Sequence, residues 1–200
     1  MEKEIVIYVH GMGGNAAEAD HYRPLFPSAA VAGFAYRAKN PWEAAGEFPP
    51  YFRQAREGRA SVTLIANSIG AYLAMSALPA GAVDRALFIS PIVDMEGLIS
   101  GMMAAAGVTE AELRARGEIP VANGQRLSWN YLTYVRRHPL SWRVPTRVLY
   151  GEHDALTPRA AIDGFCARTG AALTVMPGGE HWFHTDAEMA FLDRFVRGEV

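Results

Sequence analysis

The stretch from residue 61 to residue 74 constrains the fold of this chain more than any other part of its sequence. A strand-like apolar run ends in Ala-Asn-Ser-Ile-Gly at 66–70, and a helix-like run follows at once. This pattern predicts that Ser68 lies on a strained strand-to-helix turn with its hydroxyl exposed. Bulky residues two positions before or after the serine would collide with the neighbouring strand and helix. Ala66 and Gly70 are small enough to allow the turn.

Strand-like and helix-like segments alternate along much of the chain, which is typical of a parallel sheet covered by helices on both faces. The sequence predicts an α/β fold with a mostly parallel, doubly wound sheet of about six strands in one domain spanning residues 1–200. The predicted strands are 5–9, 30–36, 61–67, 85–90, 146–150 and 172–176. The predicted helices are 17–25, one starting at 41 and broken near Pro49 and Pro50, 69–78, 158–169 and 186–197.

Residues 95–141 interrupt this alternation, because they contain no strand-like run and are far longer than an ordinary crossover. Flexible and aromatic apolar residues are frequent here, among them Met102, Met103 and Trp129. We interpret the segment as a helical insertion that forms a cap or lid over a substrate pocket, which these three residues would help to line. The alternative is a pair of helices packed on the sheet in the ordinary way.

Composition limits the classes of partner. The formal net charge is −2 and the arginines are scattered, so nothing favours nucleic acid. No apolar stretch approaches the ~18 residues of a membrane span, and no signal-peptide core follows Met1. Cys166 is the only cysteine, which excludes a disulfide within the chain, and its position in a helical pattern favours a small buried residue over a catalytic thiol. We therefore expect a cytoplasmic protein.

Four motifs in chain order resemble the α/β-hydrolase family. They are the His-Gly-Met turn at 10–12, the serine turn at 66–70, the loop 150–158 with Asp154, and the glycine-rich loop 176–183 with His181. The resemblance covers nearly the whole chain and implies a catalytic triad of Ser68, Asp154 and His181 in the order expected of that fold. The chain departs from the family in length: eight strands are usual there, and the first two are missing here.

The chemistry implied by the resemblance needs these residue types. A serine hydroxyl is a weak nucleophile, so a neighbouring histidine must take its proton, and an aspartate orients that imidazole. An unperturbed imidazole pKa of about 6.5 lets the same group return the proton to the leaving group. The backbone N–H groups of Ile69 and Met12 would form the oxyanion hole, which leaves both side chains free to shape the acyl pocket.

Other residues compete for these roles. Asp94 follows the fourth predicted strand, where some relatives carry the acid, but Asp154 lies in the better-matching loop. His153 and His184 flank the two loops and are more easily explained as loop-lining or surface groups. His10 is expected to order the oxyanion turn. The scattered histidines do not have metal-ligand spacing, and the glycine-rich turn lacks the third glycine of a dinucleotide fingerprint, so no metal or cofactor is expected.

Together these features predict a serine hydrolase that cleaves a carboxylic ester with a small to medium apolar acyl group. Trp182, next to His181, is expected in the substrate pocket. The expected partner is a small-molecule ester or thioester, and the sequence does not specify an oligomeric state. Two alternatives stay open. One is a thioesterase or another acyl hydrolase on the same triad, and the other is a non-catalytic ligand-binding protein with a hydrolase-like shell.

Overall fold

A computed structural model describes residues 4–200, which form two compact units. The larger unit contains residues 4–93 and 141–200, and the smaller unit is Asp94–Leu140. Residues 1–3, on which the expected absence of a signal peptide partly rests, lie outside the described residues.

Strands and helices alternate along the chain except where the helices Met95–Ala105 and Glu110–Arg116 follow one another. The strands are β1 (Glu4–Val9), β2 (Ala29–Gly33), β3 (Ser61–Asn67), β4 (Arg85–Ile89), β5 (Glu118–Pro120), β6 (Arg126–Ser128), β7 (Thr146–Gly151) and β8 (Ala172–Met176). The α-helices are α1 (Pro41–Arg56), α2 (Ile69–Ala77), α3 (Met95–Ala105), α4 (Glu110–Arg116), α5 (Trp129–Arg137), α6 (Arg159–Thr169) and α7 (Asp186–Arg197). Two 3-10 helices span Ala16–Leu25 and Ala122–Gly124. None of the helices described between residues 4 and 200 is long and apolar enough to cross a membrane.

A six-stranded sheet forms the centre of the larger unit, with the strand order β2-β1-β3-β4-β7-β8. All neighbouring strands pair in parallel. The apolar runs of β1 and β3 are buried almost without interruption, as expected for strands covered on both faces. The predicted parallel sheet of about six strands is therefore confirmed. Because parallel strands share a carboxyl edge, the loops that follow β1, β3, β7 and β8 emerge along the same edge.

Strand β2 ends earlier than the sequence predicted, at Gly33 rather than at residue 36. The carbonyl of Ala16 passes so close that a Cβ atom at Gly33 would lie 1.8 Å from its oxygen. The N–H of Phe34 still donates to the carbonyl of Tyr8 at 2.8 Å, and the chain then leaves the sheet. The strand-like run of residues 30–36 did not reveal this close crossing.

Helix α1 is not broken near Pro49 and Pro50, as predicted, but runs through both to Arg56. Each proline removes one backbone donor from the helix and should weaken it. Phe48 and Phe52 flank the two prolines and are completely buried, with ring centroids 6.3 Å apart. Burial of these two rings on the same helix face offsets the lost hydrogen bonds, since tertiary packing supplies most helix stability in proteins.

The first predicted helix is a 3-10 helix, Ala16–Leu25, that begins with a capping box. The side chain of Asn15 caps the first turn, and the carboxylate of Glu18 accepts the N–H of Asn15 at 3.0 Å. A 3-10 helix has three residues per turn, so residues three apart lie above one another. Glu18 and His21 therefore project from the same side of this helix.

The smaller unit contains helices α3, α4 and α5 and a short antiparallel hairpin of β5 and β6. The prediction that this segment has no strands is therefore wrong. Each strand has only three residues, which is too short to produce a recognisable alternation. Arg136 on α5 links the helices through ion pairs to Glu96 on α3 and Glu110 on α4, both at 2.7 Å.

Candidate active site

Ser68 lies on the sharp turn between β3 and α2. Its φ of 51° and ψ of −121° are unusual for a residue with a side chain. Neighbouring backbone groups hold this conformation: the N–H of Ser68 donates to the carbonyl of Ile89 at 3.0 Å, and its carbonyl accepts the N–H of Ile92 at 3.2 Å. A Cβ atom at Gly70 would lie 2.3 Å from the carbonyl oxygen of His10, which explains the small residue expected there.

Ser68, His181 and Asp154 form one chain of hydrogen bonds. The hydroxyl of Ser68 lies 2.8 Å from Nε2 of His181, and Nδ1 of His181 lies 2.8 Å from Oδ2 of Asp154. The other carboxylate oxygen of Asp154 accepts the N–H groups of Leu156 and Thr157. The Asp154 side chain is fully buried and that of His181 is 17% exposed. This arrangement fixes the imidazole with Nε2 free to accept the serine proton.

The loops that carry Asp154 and His181 are bound to each other. The carboxylate of Glu152 accepts the N–H of Gly178 at 2.8 Å, and the N–H of His153 donates to the carbonyl of Gly179 at 2.8 Å. A Cβ atom at Gly151 would lie 2.3 Å from the carbonyl oxygen of Glu180. The absence of a side chain at residue 151 is thus what allows the two loops to approach.

Glu188 on α7 holds the histidine loop from its other side. The sequence identified this residue as part of a capping box with Thr185. Its carboxylate also accepts the N–H groups of Glu180 and His184, each at 3.1 Å, so it binds the backbone on both sides of His181. Burial opposes ionisation of Glu188, but the hydrogen bonds from these backbone groups and from Thr185 lower its pKa to about 2.

The competing acid and two competing histidines lie in other environments. Asp94 caps the first turn of α3, where its carboxylate accepts the N–H of Gly97 at 2.8 Å. His153 is exposed. His184 stacks on Trp182 with ring centroids 4.3 Å apart, and its Nδ1 donates to the carbonyl of Trp182 at 2.7 Å.

The turn after β1, residues 10–12, lies beside Ser68. A Cβ atom at Gly11 would lie 3.2 Å from Cβ of Ser68, so this turn passes directly against the serine. His10 stacks on Tyr36 at 4.3 Å, and the hydroxyl of Tyr36 donates to the carbonyl of His10 at 2.8 Å. These contacts agree with an ordering role for His10, and they fix the segment that carries the N–H of Met12.

Ile69 is the first residue of α2. The first N–H groups of an α-helix have no partner within the helix, so the N–H of Ile69 is available to an incoming oxygen. The oxyanion-hole roles of Ile69 and Met12 remain proposals.

A cavity of about 760 Å³ opens beside Ser68 and His181. Met12, Leu156 and Trp182 line it, and both Met12 and Trp182 are largely exposed. All its lining residues belong to the larger unit. Met102, Met103 and Trp129 lie in the smaller unit, and their place in a substrate pocket stays a prediction. Sequence reasoning did not place seven polar or aromatic lining residues in the pocket, which are Tyr8, Glu18, His21, Tyr22, Asn67, Phe183 and His184.

Within residues 4–200, no three His, Cys, Asp or Glu side chains lie close enough together to hold a metal ion. The groups that the site presents are a serine hydroxyl, an imidazole, a buried carboxylate and nearby backbone N–H groups.

Solved structures similar to this one cover nearly all of the chain. Est1E from Butyrivibrio proteoclasticus is 17% identical, with a TM-score of 0.74 over 100% of this chain and 88% of that protein. Mouse alpha/beta hydrolase domain-containing protein 10 is 18% identical, with a TM-score of 0.71 over 98% and 88%. A proline iminopeptidase-related protein from Thermus thermophilus is 19% identical, with a TM-score of 0.65 over 98% and 89%.

No protein-family model matches the chain, and no curated protein matches it at a significant level. The structural likeness, the six parallel strands and the serine turn after β3 agree with one another. The chain therefore has the α/β-hydrolase fold.

Proposed function

We propose that this protein is a serine hydrolase that cleaves carboxylic esters with a small to medium apolar acyl group. The observation that carries the proposal is the continuous hydrogen-bonded chain from Ser68 through His181 to the buried carboxylate of Asp154, with 2.8 Å at each imidazole nitrogen. A hydroxyl on a strained turn, paired with an oriented imidazole, is the arrangement needed for nucleophilic attack on a carbonyl.

The reaction would proceed in two steps. The oxygen of Ser68 attacks the ester carbonyl while Nε2 of His181 takes the serine proton, and the N–H groups of Ile69 and Met12 bind the resulting oxyanion. Collapse of this intermediate expels the alcohol, which receives the proton from His181, and leaves the acyl group on Ser68. Water then attacks the acyl carbonyl, His181 accepts its proton, and the carboxylic acid departs as Ser68 is protonated again.

The cavity beside the serine supports a substrate of modest size. A volume of about 760 Å³ is within the range of small-molecule sites, and Met12, Leu156, Trp182 and Met189 supply apolar surface for an acyl chain. A structure of Est1E contains bound ferulic acid. An aromatic acyl group therefore belongs among the candidates, beside straight aliphatic chains.

Hydrolysis of p-nitrophenyl esters from acetate to decanoate, with methyl ferulate added, tests the proposal. Ser68→Ala should lower kcat by about 10⁴-fold or more, because removal of the nucleophile leaves only binding and oxyanion stabilisation. Ser76→Ala is the matched control: Ser76 lies on the same helix, and its hydroxyl donates to the carbonyl of Tyr72. Equal rates for wild type and Ser68→Ala on every ester would contradict the proposal.

Labelling with an organophosphorus probe separates an enzyme from a non-catalytic binding protein that keeps the same shell. A working triad should form a covalent adduct on Ser68, located by mass spectrometry, and Ser68→Ala should remain unlabelled. A thioester series measured beside the esters shows which acyl donor the site prefers, since both reactions would use the same three residues.

A further inference from the structure

Tyr8, Glu18, His21 and Tyr22 form a contiguous group in the wall of the cavity, and the proposed hydrolysis does not use them. The hydroxyl of Tyr8 donates to the carboxylate of Glu18 at 2.6 Å. The rings of Tyr8 and Tyr22 have centroids 5.1 Å apart, and the rings of His21 and Tyr22 meet edge to face at 5.2 Å. All four residues line the cavity that also contains Ser68.

The 3-10 helix explains why a carboxylate lies in this wall. Glu18 and His21 are three residues apart and project from the same side of Ala16–Leu25. One oxygen of Glu18 accepts the N–H of Asn15, and the other accepts the hydroxyl of Tyr8. A carboxylate oxygen has two lone pairs, so both oxygens can accept a further interaction from a ligand.

Tyr8 stays a neutral donor in this group. Burial, the neighbouring Tyr22 and the hydrogen bond to Glu18 together raise the pKa of the Tyr8 phenol well above its usual range. Burial likewise raises the pKa of Tyr22. In the hydrogen-bonded pair of Tyr8 and Glu18, the negative charge therefore belongs to Glu18. The uncharged phenol rings of Tyr8 and Tyr22 lie next to each other in the same wall.

Neither lysine nor arginine occurs among the described residues that line the cavity. Two of its histidines, His181 and His184, lie beside carboxylates of their own, Asp154 and Glu188. Nε2 of His21 lies 2.8 Å from the carboxylate of Asp193. Even when His21 is protonated, it and Asp193 form a pair without net charge. The wall thus presents a carboxylate that has two hydrogen-bond donors but no lysine or arginine partner within residues 4–200, together with aromatic side chains.

We propose that Tyr8, Glu18, His21 and Tyr22 form a subsite that binds an ammonium group of the substrate. The partly exposed carboxylate of Glu18 is the group that attracts the cation, and the largely buried rings of Tyr8 and Tyr22 border it. The cation is carried either by the leaving alcohol or by the far end of the acyl chain. This inference deepens the proposed function and rests on it, because the cavity is taken to be the substrate site.

Two pairs of esters of nearly equal shape test the subsite. Butyrylcholine and 3,3-dimethylbutyl butyrate differ in a cationic nitrogen on the alcohol. The p-nitrophenyl esters of 4-(trimethylammonio)butanoic acid and 5,5-dimethylhexanoic acid differ in the same way on the acyl chain. The wild-type protein should have the higher kcat/KM for the cationic member of one pair, and that pair identifies the part of the substrate that meets Glu18.

Glu18→Gln removes the charge while keeping the helix cap, since glutamine also serves in a capping box. It should lower the cationic-to-neutral ratio of kcat/KM by about tenfold, the size expected for one nearby charge in a partly solvated site. Asp20→Asn is the control: it makes the same change of charge on the same helix, at an exposed residue paired with Arg23 and outside the cavity wall. It should leave the ratio unchanged.

Equal ratios for wild type and Glu18→Gln in both pairs would overturn the subsite, as would an equal effect of Asp20→Asn. Calorimetric titration of both members of each pair into Ser68→Ala protein gives a second readout that needs no catalysis. If the wild type hydrolyses none of the esters, the proposed function fails. In that case the ratio of the dissociation constants of the cationic and the neutral ester is compared between Ser68→Ala and the Ser68→Ala/Glu18→Gln double variant. This comparison alone then tests whether Glu18 binds the ammonium group.

Discussion

The orientation of the His181 imidazole depends on the carboxylate of Asp154. Asp154→Asn keeps the shape but presents an amide, which favours the wrong imidazole tautomer. We expect kcat for the preferred ester to fall by about 10⁴-fold with little change in KM. Asp94→Asn provides the control, because Asp94 caps α3 and asparagine is an equally good helix cap. Steady-state kinetics of both variants check this, and a large loss with Asp94→Asn alone would assign the acid to the other aspartate.

Glu188 gives a second prediction at the scale of one residue. Glu188→Gln should lower the free energy of unfolding by about 1–3 kcal/mol, because backbone donors on both sides of His181 lose a charged acceptor. Glu112→Gln is the matched control: Glu112 completes the same capping box with Thr109 at an exposed position and holds no active-site loop. Urea unfolding should show a smaller loss for Glu112→Gln.

The difference in unfolding free energy between wild type and Glu188→Gln should depend on pH, because the pKa of Glu188 is lowered. Because the folded-state pKa of about 2 lies below the unfolded value, the stability contributed by the carboxylate is present above about pH 4.5. It is lost as the pH falls toward 2. The gap in unfolding free energy between wild type and Glu188→Gln should therefore be full at pH 7 and smaller at pH 3. A gap of the same size at both pH values would contradict a charge-based role.

At the scale of elements, the packing of α2 against the turn after β1 leaves no room for a side chain at Gly70. Gly70→Ala would bring a Cβ atom within 2.3 Å of the His10 carbonyl oxygen and 2.9 Å of the Val9 carbonyl oxygen. Since both contacts are backbone, the turn itself must move, and we expect a loss of about 1–3 kcal/mol in unfolding free energy. The variant should also lose most of its esterase activity.

Gly46→Ala, within helix α1, tests whether the effect at Gly70 comes from crowding. A Cβ atom at Gly46 would meet no other atom within 4 Å, so alanine should stabilise the helix by about 0.5–1 kcal/mol. Urea unfolding of the two variants should give shifts of opposite sign. Destabilisation by both would mean that glycine is needed in these helices for another reason.

At the scale of the whole molecule, the sequence predicted the elements better than their contacts. The parallel sheet of about six strands followed from alternating segments, and the resemblance to a known family implied that Ser68, Asp154 and His181 would meet; the strand order was not predicted. The cluster of Tyr8, Glu18 and His21 was not predicted either, because no sequence pattern shows that a helix would be 3-10 or which side would meet β1. The continuation of α1 through Pro49 was missed because the burial of Phe48 and Phe52 is a tertiary effect.

The division into two units gives the last prediction. Leu113 lies in the smaller unit and Leu64 in the sheet, and both are completely buried. Replacing either with alanine should cost about 2–5 kcal/mol locally. In hydrogen exchange, Leu113→Ala should reduce protection in residues 94–140 and leave β1 and β3 protected, whereas Leu64→Ala should reduce protection throughout the sheet.

The same pair of variants connects this division to function. Ser68, Asp154, His181 and the residues that line the cavity all belong to the larger unit. Leu113→Ala should therefore keep its reaction with the organophosphorus probe, measured at a temperature where the sheet stays protected, while Leu64→Ala loses this reaction as its sheet opens. Loss of labelling in Leu113→Ala with β1 and β3 still protected would show that residues 94–140 are needed to assemble the site.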